Sequence, residues 1–339
     1  MRIFKKYNSI GKEELKAASA VIKSGNLSNF LGEYSKEFFG GPKVREFENK
    51  CKSFFNVKHA ITVNSWTSGL ICAVGALDIS PGDEIILPPW TMSACASAIL
   101  NWNAIPVFAD IDKTTYNIDP EDVLRKISKK TKAIMAVDIF GHPCNISELK
   151  KISKKYKIKL ITDSAQSPYS FYKKKIAGTI SDVGGISLNY HKHIHTGEGG
   201  VIFTNSDKIA KRINLIRNHA ESVVRSNKVE NLSNMIGYNF RLGEIESAIG
   251  IQQLKKLKKV IRKKQKICQL LTKNLSKLSR LFLPKVLKGY THSYYIYGIN
   301  LDLQNIKYSR EYIINKLTSE GVPGLSAGYT CLHLLPMFQ

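Results

Sequence analysis

The chain has 339 residues, with 51 Lys and Arg against 27 Asp and Glu, a formal charge of +24, and 43% of its residues are hydrophobic. That length holds a large core and points to two domains, while apolar residues spread throughout exclude intrinsic disorder and a collagen-like or low-complexity chain. No run of about eighteen uncharged apolar residues occurs, and Met1-Arg2-Ile3-Phe4-Lys5-Lys6 leads into polar sequence instead of a signal-peptide core, so a soluble cytoplasmic protein is expected.

In chain order, Leu15, Ala18, Val21 and Ile22 recur at helical spacing and predict a helix over 13–23, stopped by Gly25. An irregular, Gly-punctuated segment over 30–42 precedes a second helix over 44–55. His59-Ala60-Ile61-Thr62-Val63 then reads as a short buried strand, 64–67 as a turn and 68–77 as a helix. The alternation continues with strands at 85–87, 105–108, 133–137 and 159–162 and helices at 92–102, 120–127 and 146–156. Such alternation means an α/β fold with a mostly parallel sheet sandwiched by helices, whose ligands bind outside the carboxyl ends of the strands. Chemistry is therefore expected in the turns after Val63, Val137 and Thr162. Beyond Ala210 the pattern changes to helices over 210–216, 242–274 and 309–320 and a strand over 294–301. Residues 1–250 are read as a large domain and 251–339 as a smaller α+β domain, with no internal repeat.

The six cysteines are scattered without a CxxC pair, which predicts reduced, mostly buried thiols and neither a zinc site nor a disulfide framework. The positive charge lies in Lys-rich stretches over 126–132, 150–159 and 255–266, on predicted helices, where solvated faces account for it. No nucleic-acid-binding motif accompanies them, so nucleic acid is not an expected partner, and a basic surface equally suits a substrate bearing phosphates.

Three short stretches carry chemical signals. In Ser187-Leu188-Asn189-Tyr190-His191-Lys192, a lysine stands between an apolar strand and the Gly-rich turn Thr196-Gly197-Glu198-Gly199-Gly200, where desolvation lowers an amine pKa and makes it a nucleophile. His191, His193 and His195 alternate, and alternate strand residues share a face, but no carboxylate or Cys at ligand spacing supports a metal. Asp163 closes a strand; it either caps the next turn or holds a pyridine nitrogen protonated, as pyridoxal phosphate requires. Asn64-Ser65-Trp66-Thr67-Ser68-Gly69 places small hydroxyl residues at a helix start, either an ordinary N-cap or a phosphate cradle. Together, in this order and fold, the three define one cofactor.

From about 25 to 338 the sequence resembles the DegT/DnrJ/EryC1/StrS sugar aminotransferases, pyridoxal-phosphate enzymes of the aspartate-aminotransferase fold class. The resemblance is carried by Pro81-Gly82-Asp83-Glu84-Ile85-Ile86, Pro106-Val107-Phe108-Ala109-Asp110, Thr131-Lys132-Ala133-Ile134, Asp163-Ser164-Ala165-Gln166, Lys192 with its Gly-rich turn, and Gly237-Tyr238-Asn239-Phe240-Arg241. It implies fold type I and the following roles. Lys192 would bind pyridoxal 5'-phosphate as a Schiff base and then act as the base and acid of a 1,3-proton shift. Asp163 would pair with the pyridine nitrogen and Gln166 would contact the ring-hydroxyl side. Trp66, Thr67 and Ser187 would hold the phosphate. Asn239 would reach the phosphate of the neighbouring subunit, implying a homodimer with shared active sites. The substrate would be a nucleotide-linked keto-sugar, as in polysaccharide or glycan biosynthesis, and the amino donor glutamate. The segment 25–41, Tyr329 and His333 would border the sugar.

The sequence departs from the family pattern in several places. Met92 stands where an aromatic ring usually stacks on the cofactor, with Trp90 two residues before it. Trp66 replaces a Gly or Ala of the phosphate turn. Relatives usually continue beyond Phe338, so either the small domain is short or the chain is a truncated product. Two rival functions remain at this stage. One is a sugar dehydratase of the same family, in which histidine replaces the lysine. The other is a regulatory or nucleic-acid-binding relative that keeps only the fold.

Overall fold

The computed structural model describes residues 7–221 and 235–339, so Met1 to Lys6 lie outside the described residues. Helix α1 (Lys12–Ser24) ends on Gly25, whose φ of +70° supplies the left-handed cap. Helix α2 (Pro42–Phe55) begins with proline in its first turn. The alternating region then runs β1 (His59–Val63), α3 (Trp66–Gly75), β2 (Glu84–Leu87), α4 (Ala94–Leu100), β3 (Ile105–Phe108), α5 (Pro120–Lys126), β4 (Thr131–Val137), α6 (Ile146–Tyr156) and β5 (Lys159–Asp163). A small hairpin, β6 (Phe171–Tyr172) and β7 (Lys175–Ile176), precedes β8 (Val183–Ser187), β9 (Gly200–Thr204) and α7 (Asp207–Arg217). Helix α8 (Glu244–Leu275), the pair β10 (Leu281–Phe282) and β11 (Asn300–Leu301), and α9 (Arg310–Ser319) complete the described elements used below.

Seven strands form one sheet in the order β1-β9-β8-β5-β4-β2-β3. Pairs β8-β5, β5-β4, β4-β2 and β2-β3 are parallel, and β9 runs antiparallel to both its neighbours. β1 consequently points the same way as β8, and the carboxyl ends of β1, β4, β5 and β8 open on one side.

Both faces are covered. Ile61, Ile85, Met135 and Ile161 on one face pack with Leu70, Ala73, Ile99 and Ile213 from α3, α4 and α7. The other face packs Phe203, Val201 and Ile186 against Phe47 and Phe55 of α2 and Leu254 and Leu257 of α8, and Ile134 and Leu160 against Leu149 and Ile152 of α6. The α3–α4 contact depends on Gly75, because a Cβ there would stand 2.0 Å from the Trp102 ring. Overpacking of that kind costs about 1–3 kcal/mol.

Most predicted elements recur within two residues, and two differences have physical causes. Helix α3 starts at Trp66, two residues before the predicted Ser68, because Ser65 is the N-cap and its side chain accepts the Ser68 N–H at 3.1 Å. The stretch 294–301 is a strand only at Asn300–Leu301. Upstream, the Ser293 N–H donates to Gly141 O at 2.9 Å and Tyr294 has φ +52°, so the aromatic alternation packs against a loop instead of a neighbouring strand. The 250/251 division falls inside α8, whose 32 residues span about 48 Å and pack on both α1 and α2. Among the described residues no helix is long and apolar enough to cross a membrane. The Lys-rich stretches 150–155 and 255–266 lie on α6 and α8, with Lys150, Lys151, Lys154 and Lys155 exposed, whereas 126–132 leaves α5 after Lys126 and passes through a turn into β4.

Candidate active site

Trp66, Thr67, Asp163, Ser187 and Lys192 lie at or just after the carboxyl ends of β1, β5 and β8. At the first, the Ser65 side chain and carbonyl take the N–H groups of Ser68 and Gly69. The N–H groups of Trp66 and Thr67 have no hydrogen-bond partner among the described residues. Such an open helix N-terminus favours an anion through its free donors and its dipole. Asn64 ties this turn to the motif around Asn239: its N–H donates to Phe240 O at 2.9 Å and its side-chain amide to Asn239 O at 3.4 Å. Ser187, the last residue of β8, is buried opposite Gly200 and accepts the Asn189 N–H at 3.2 Å.

Asp163 ends β5 and is 6% exposed. Its Oδ1 accepts the Trp66 indole N–H at 2.6 Å and the Ala165 N–H at 3.0 Å, while Oδ2 accepts only the Cys95 thiol, at 3.3 Å. No salt bridge among the described residues includes it, so a buried carboxylate lacks a bonded cation. Asp138, after β4, stands beside it, with its N–H donating to Asp163 O at 2.9 Å. Its carboxylate accepts the Ser164 hydroxyl and the Cys144 N–H. Burial raises the Asp138 pKa to about 6 even though those two donors lower it. Sequence reasoning missed Asp138, although its place after a strand in the sheet's centre was the signal for it.

Lys192 lies in the turn after β8, with its N–H on Asn189 O at 2.9 Å and its Nζ 4.3 Å from the centre of the Tyr295 ring. Burial lowers its pKa, and the charge of Asp163 opposes that shift. The turn is not a strand, so His191, His193 and His195 do not share a face. His191 is exposed, whereas His193 is buried with Nε2 3.0 Å from Ser293 O and a pKa pushed down by burial to about 3. No group of three or more potential ligands is placed to hold a metal among the described residues.

Gln166 and Tyr329 meet directly. The Gln166 amide donates to the Tyr329 hydroxyl at 3.0 Å, and its Oε1 accepts the Phe140 N–H at 2.7 Å. Trp90 closes this corner, its indole donating to Tyr329 O at 2.8 Å and its ring 5.2 Å from Phe140. Met92, in contrast, is 57% exposed in the single chain. His333 is exposed and lies 5.9 Å from the Phe108 ring, apart from Tyr329's bond to Gln166. Phe140, Trp90 and Tyr295 are the aromatic neighbours of the site. Tyr295 and Phe140 carried no motif signal, since only the fold brings their loops to the sheet.

A cleft of about 560 Å³ lies elsewhere, at the amino ends of β5 and β8, lined by Lys150, Lys151, Lys154, Ser181 and Asp182. Its open, lysine-rimmed form includes the Ser206 N-cap of α7 but lacks the buried acid and desolvated amine found at the other end of the sheet. That acid and amine, with the helix start after β1, fit pyridoxal phosphate in kind: a dianion for the open helix N-terminus, a pyridinium for a buried carboxylate without a cation, and a carbonyl for a desolvated amine.

Comparisons with known proteins agree. GDP-perosamine synthase of Vibrio cholerae is 34% identical, over 98% of this chain and 86% of its own length. The solved aminotransferase of Psychrobacter cryohalolentis superposes with a TM-score of 0.89 at 28% identity, covering 99% of this chain and 87% of that one. A GDP-4-keto-6-deoxymannose-3-dehydratase solved with a trapped pyridoxal phosphate–glutamate geminal diamine superposes at 0.81 with 26% identity, covering 93% and 83%. The family of these proteins is pyridoxal-phosphate dependent and acts mainly in sugar transamination, with some dehydratases. Its sequence pattern matches residues 8–339, and with the fold in agreement, the chain belongs to the DegT/DnrJ/EryC1/StrS aminotransferase family.

Proposed function

We propose that this chain is a pyridoxal-phosphate-dependent aminotransferase that moves an amino group from glutamate to a nucleotide-linked keto-sugar. The carrying observation is a half-buried, pKa-lowered Lys192 within the field of Asp163 at the carboxyl ends of β5 and β8. Pyridoxal phosphate, when bound, supplies a carbonyl for the amino group and a ring that withdraws electrons from the reacting carbon.

The chain's own residues then divide the work. The N–H groups of Trp66 and Thr67 and the Ser187 hydroxyl hold the phosphate. Asp163 Oδ2, weakly occupied by the Cys95 thiol, would face the ring nitrogen and keep its proton in place. Gln166, fixed by Phe140 and Tyr329, sits on the ring-hydroxyl side. Lys192 Nζ takes a proton from the substrate carbon and returns it one atom away, and burial favours the neutral amine this requires. Tyr329 and His333 would border the sugar, and Met92 or Trp90 would lie against the ring. Asn239 reaches the phosphate held by a second copy, in a homodimer with shared sites; exposed Met92, Leu27 and Leu31 on single chains suit such burial.

The amine at 192 favours transamination over the dehydration catalysed by some relatives. Incubation with glutamate and a panel of nucleotide-linked keto-sugars tests the reading. It predicts 2-oxoglutarate and an amino-sugar nucleotide in equal amounts. Loss of the sugar hydroxyl without amine incorporation would instead assign the dehydratase.

A further inference from the structure

Trp66 occupies a slot made for its ring. A Cβ on Gly69 would stand 2.7 Å from the indole, and one on Gly185 would stand 2.3 Å from it and 2.2 Å from Val201 O, so both α3 and β8 meet the ring at glycines. The ring is 6% exposed and its Nε1 lies 2.6 Å from Asp163 Oδ1. The other two tryptophans donate to main-chain carbonyls, Trp90 to Tyr329 O and Trp102 to Ile71 O, both at 2.8 Å. Trp66 alone of the three serves a carboxylate, and it does so from the residue whose main-chain N–H opens the phosphate turn.

We propose that the Trp66 side chain is a positioning residue for Asp163, fixing the carboxylate and drawing charge from Oδ1 so that Oδ2 is set for the cofactor's ring nitrogen. This rests on the functional reading above. One side chain thereby links the two ends of the cofactor site, the helix start at its main chain and the acid at its indole. The physical effect has a definite sign. Hydrogen bonds from neutral donors to a carboxylate lower its affinity for a proton. Without the indole, Oδ1 holds more negative charge and the proton shared with the ring nitrogen shifts toward Asp163. Less positive charge then stands on the ring, and the nitrogen of Lys192 becomes more basic. The titratable groups around Asp163 are Cys95 from α4, Asp138 after β4, Lys192 after β8 and Tyr329, and none of them is changed by substituting Trp66.

Two measurements on the full chain test this. In the first, the visible absorbance of the pyridoxal-phosphate-loaded protein is titrated with pH for wild type and Trp66→Phe. The midpoint is expected to rise by about one pH unit in the variant. An unchanged midpoint in a folded variant overturns the proposal and leaves Trp66 a packing residue. The second uses protein without cofactor and a different variant: the three indole N–H signals of wild type are compared by NMR with those of Asp163→Ala, which removes the acceptor. One signal is expected to move upfield while two stay. If no signal moves, the hydrogen bond is absent and the proposal fails. A wild type that takes up no cofactor overturns the functional reading and the tuning role with it. That failure is told apart by the NMR comparison, which still reports the Trp66–Asp163 bond.

Discussion

At the scale of single residues, the site consists of groups whose burial fixes their chemistry. Lys192 is held below its ordinary pKa by desolvation, and Asp163 is buried with neutral donors and no ion pair among the described residues. Asp163→Asn keeps a side-chain oxygen for the Trp66 indole but removes the charge, so the protein should melt close to wild type while amino transfer falls at least a hundredfold in kcat. Tyr329→Phe removes one hydrogen bond to Gln166. A loss of about 1 kcal/mol, roughly five- to tenfold in kcat/KM, is expected in steady-state kinetics. The placement of Lys192, Asp163 and Gln166 just at or after strand ends was legible in the sequence because short motifs mark them. The side-chain role of Trp66 was not, since it depends on a slot left by Gly185, 119 residues away, and only the sheet order brings β8 over α3.

At the scale of elements, two polar ties join helices across the fold. Arg217 at the end of α7 is fully buried and donates to Glu48 of α2 at 2.7 Å and to Thr62 O of β1 at 3.1 Å. Glu48→Ala would leave that guanidinium without its anion. The expected loss is about 3–5 kcal/mol in denaturant unfolding. Glu14 ties α1 to α8: burial raises its pKa, but bonds from Lys256, Gln253 and the Gly11 N–H outweigh this and hold it below the usual value. Because the folded pKa is lowered, its contribution is present above the unfolded carboxylate range and fades as pH falls through the folded value. Melting of Glu14→Gln should therefore differ most from wild type at neutral pH, and the gap should narrow in acid. Periodicity disclosed α1, α2 and α6, whose apolar residues repeat on one face. It did not disclose β8 and β9 as a pair, where Gly184, Gly185 and Gly200 dilute the strand signal for reasons of close approach to Thr162 and Trp66.

At the scale of the whole molecule, the α/β alternation already located the chemistry at the carboxyl ends of the strands, and the structure gathers Asp163, Gln166, Lys192 and the Ser65-capped turn there. The loops that complete the site, around Phe140, Trp90, Tyr295 and Tyr329, come from distant parts of the chain and have no local signature. A second copy, proposed to supply Asn239, lies beyond what one chain's pattern can specify, because its surface is chosen by shape. The excess positive charge, distributed over helix faces, suits a phosphate-bearing sugar nucleotide. The most direct test of the central claim is visible absorbance of purified wild type and Lys192→Ala with added pyridoxal phosphate, followed by glutamate. The account predicts a band that requires Lys192 and bleaches when glutamate is added. A wild type that takes up no cofactor, or a glutamate-sensitive band that persists without Lys192, would contradict it.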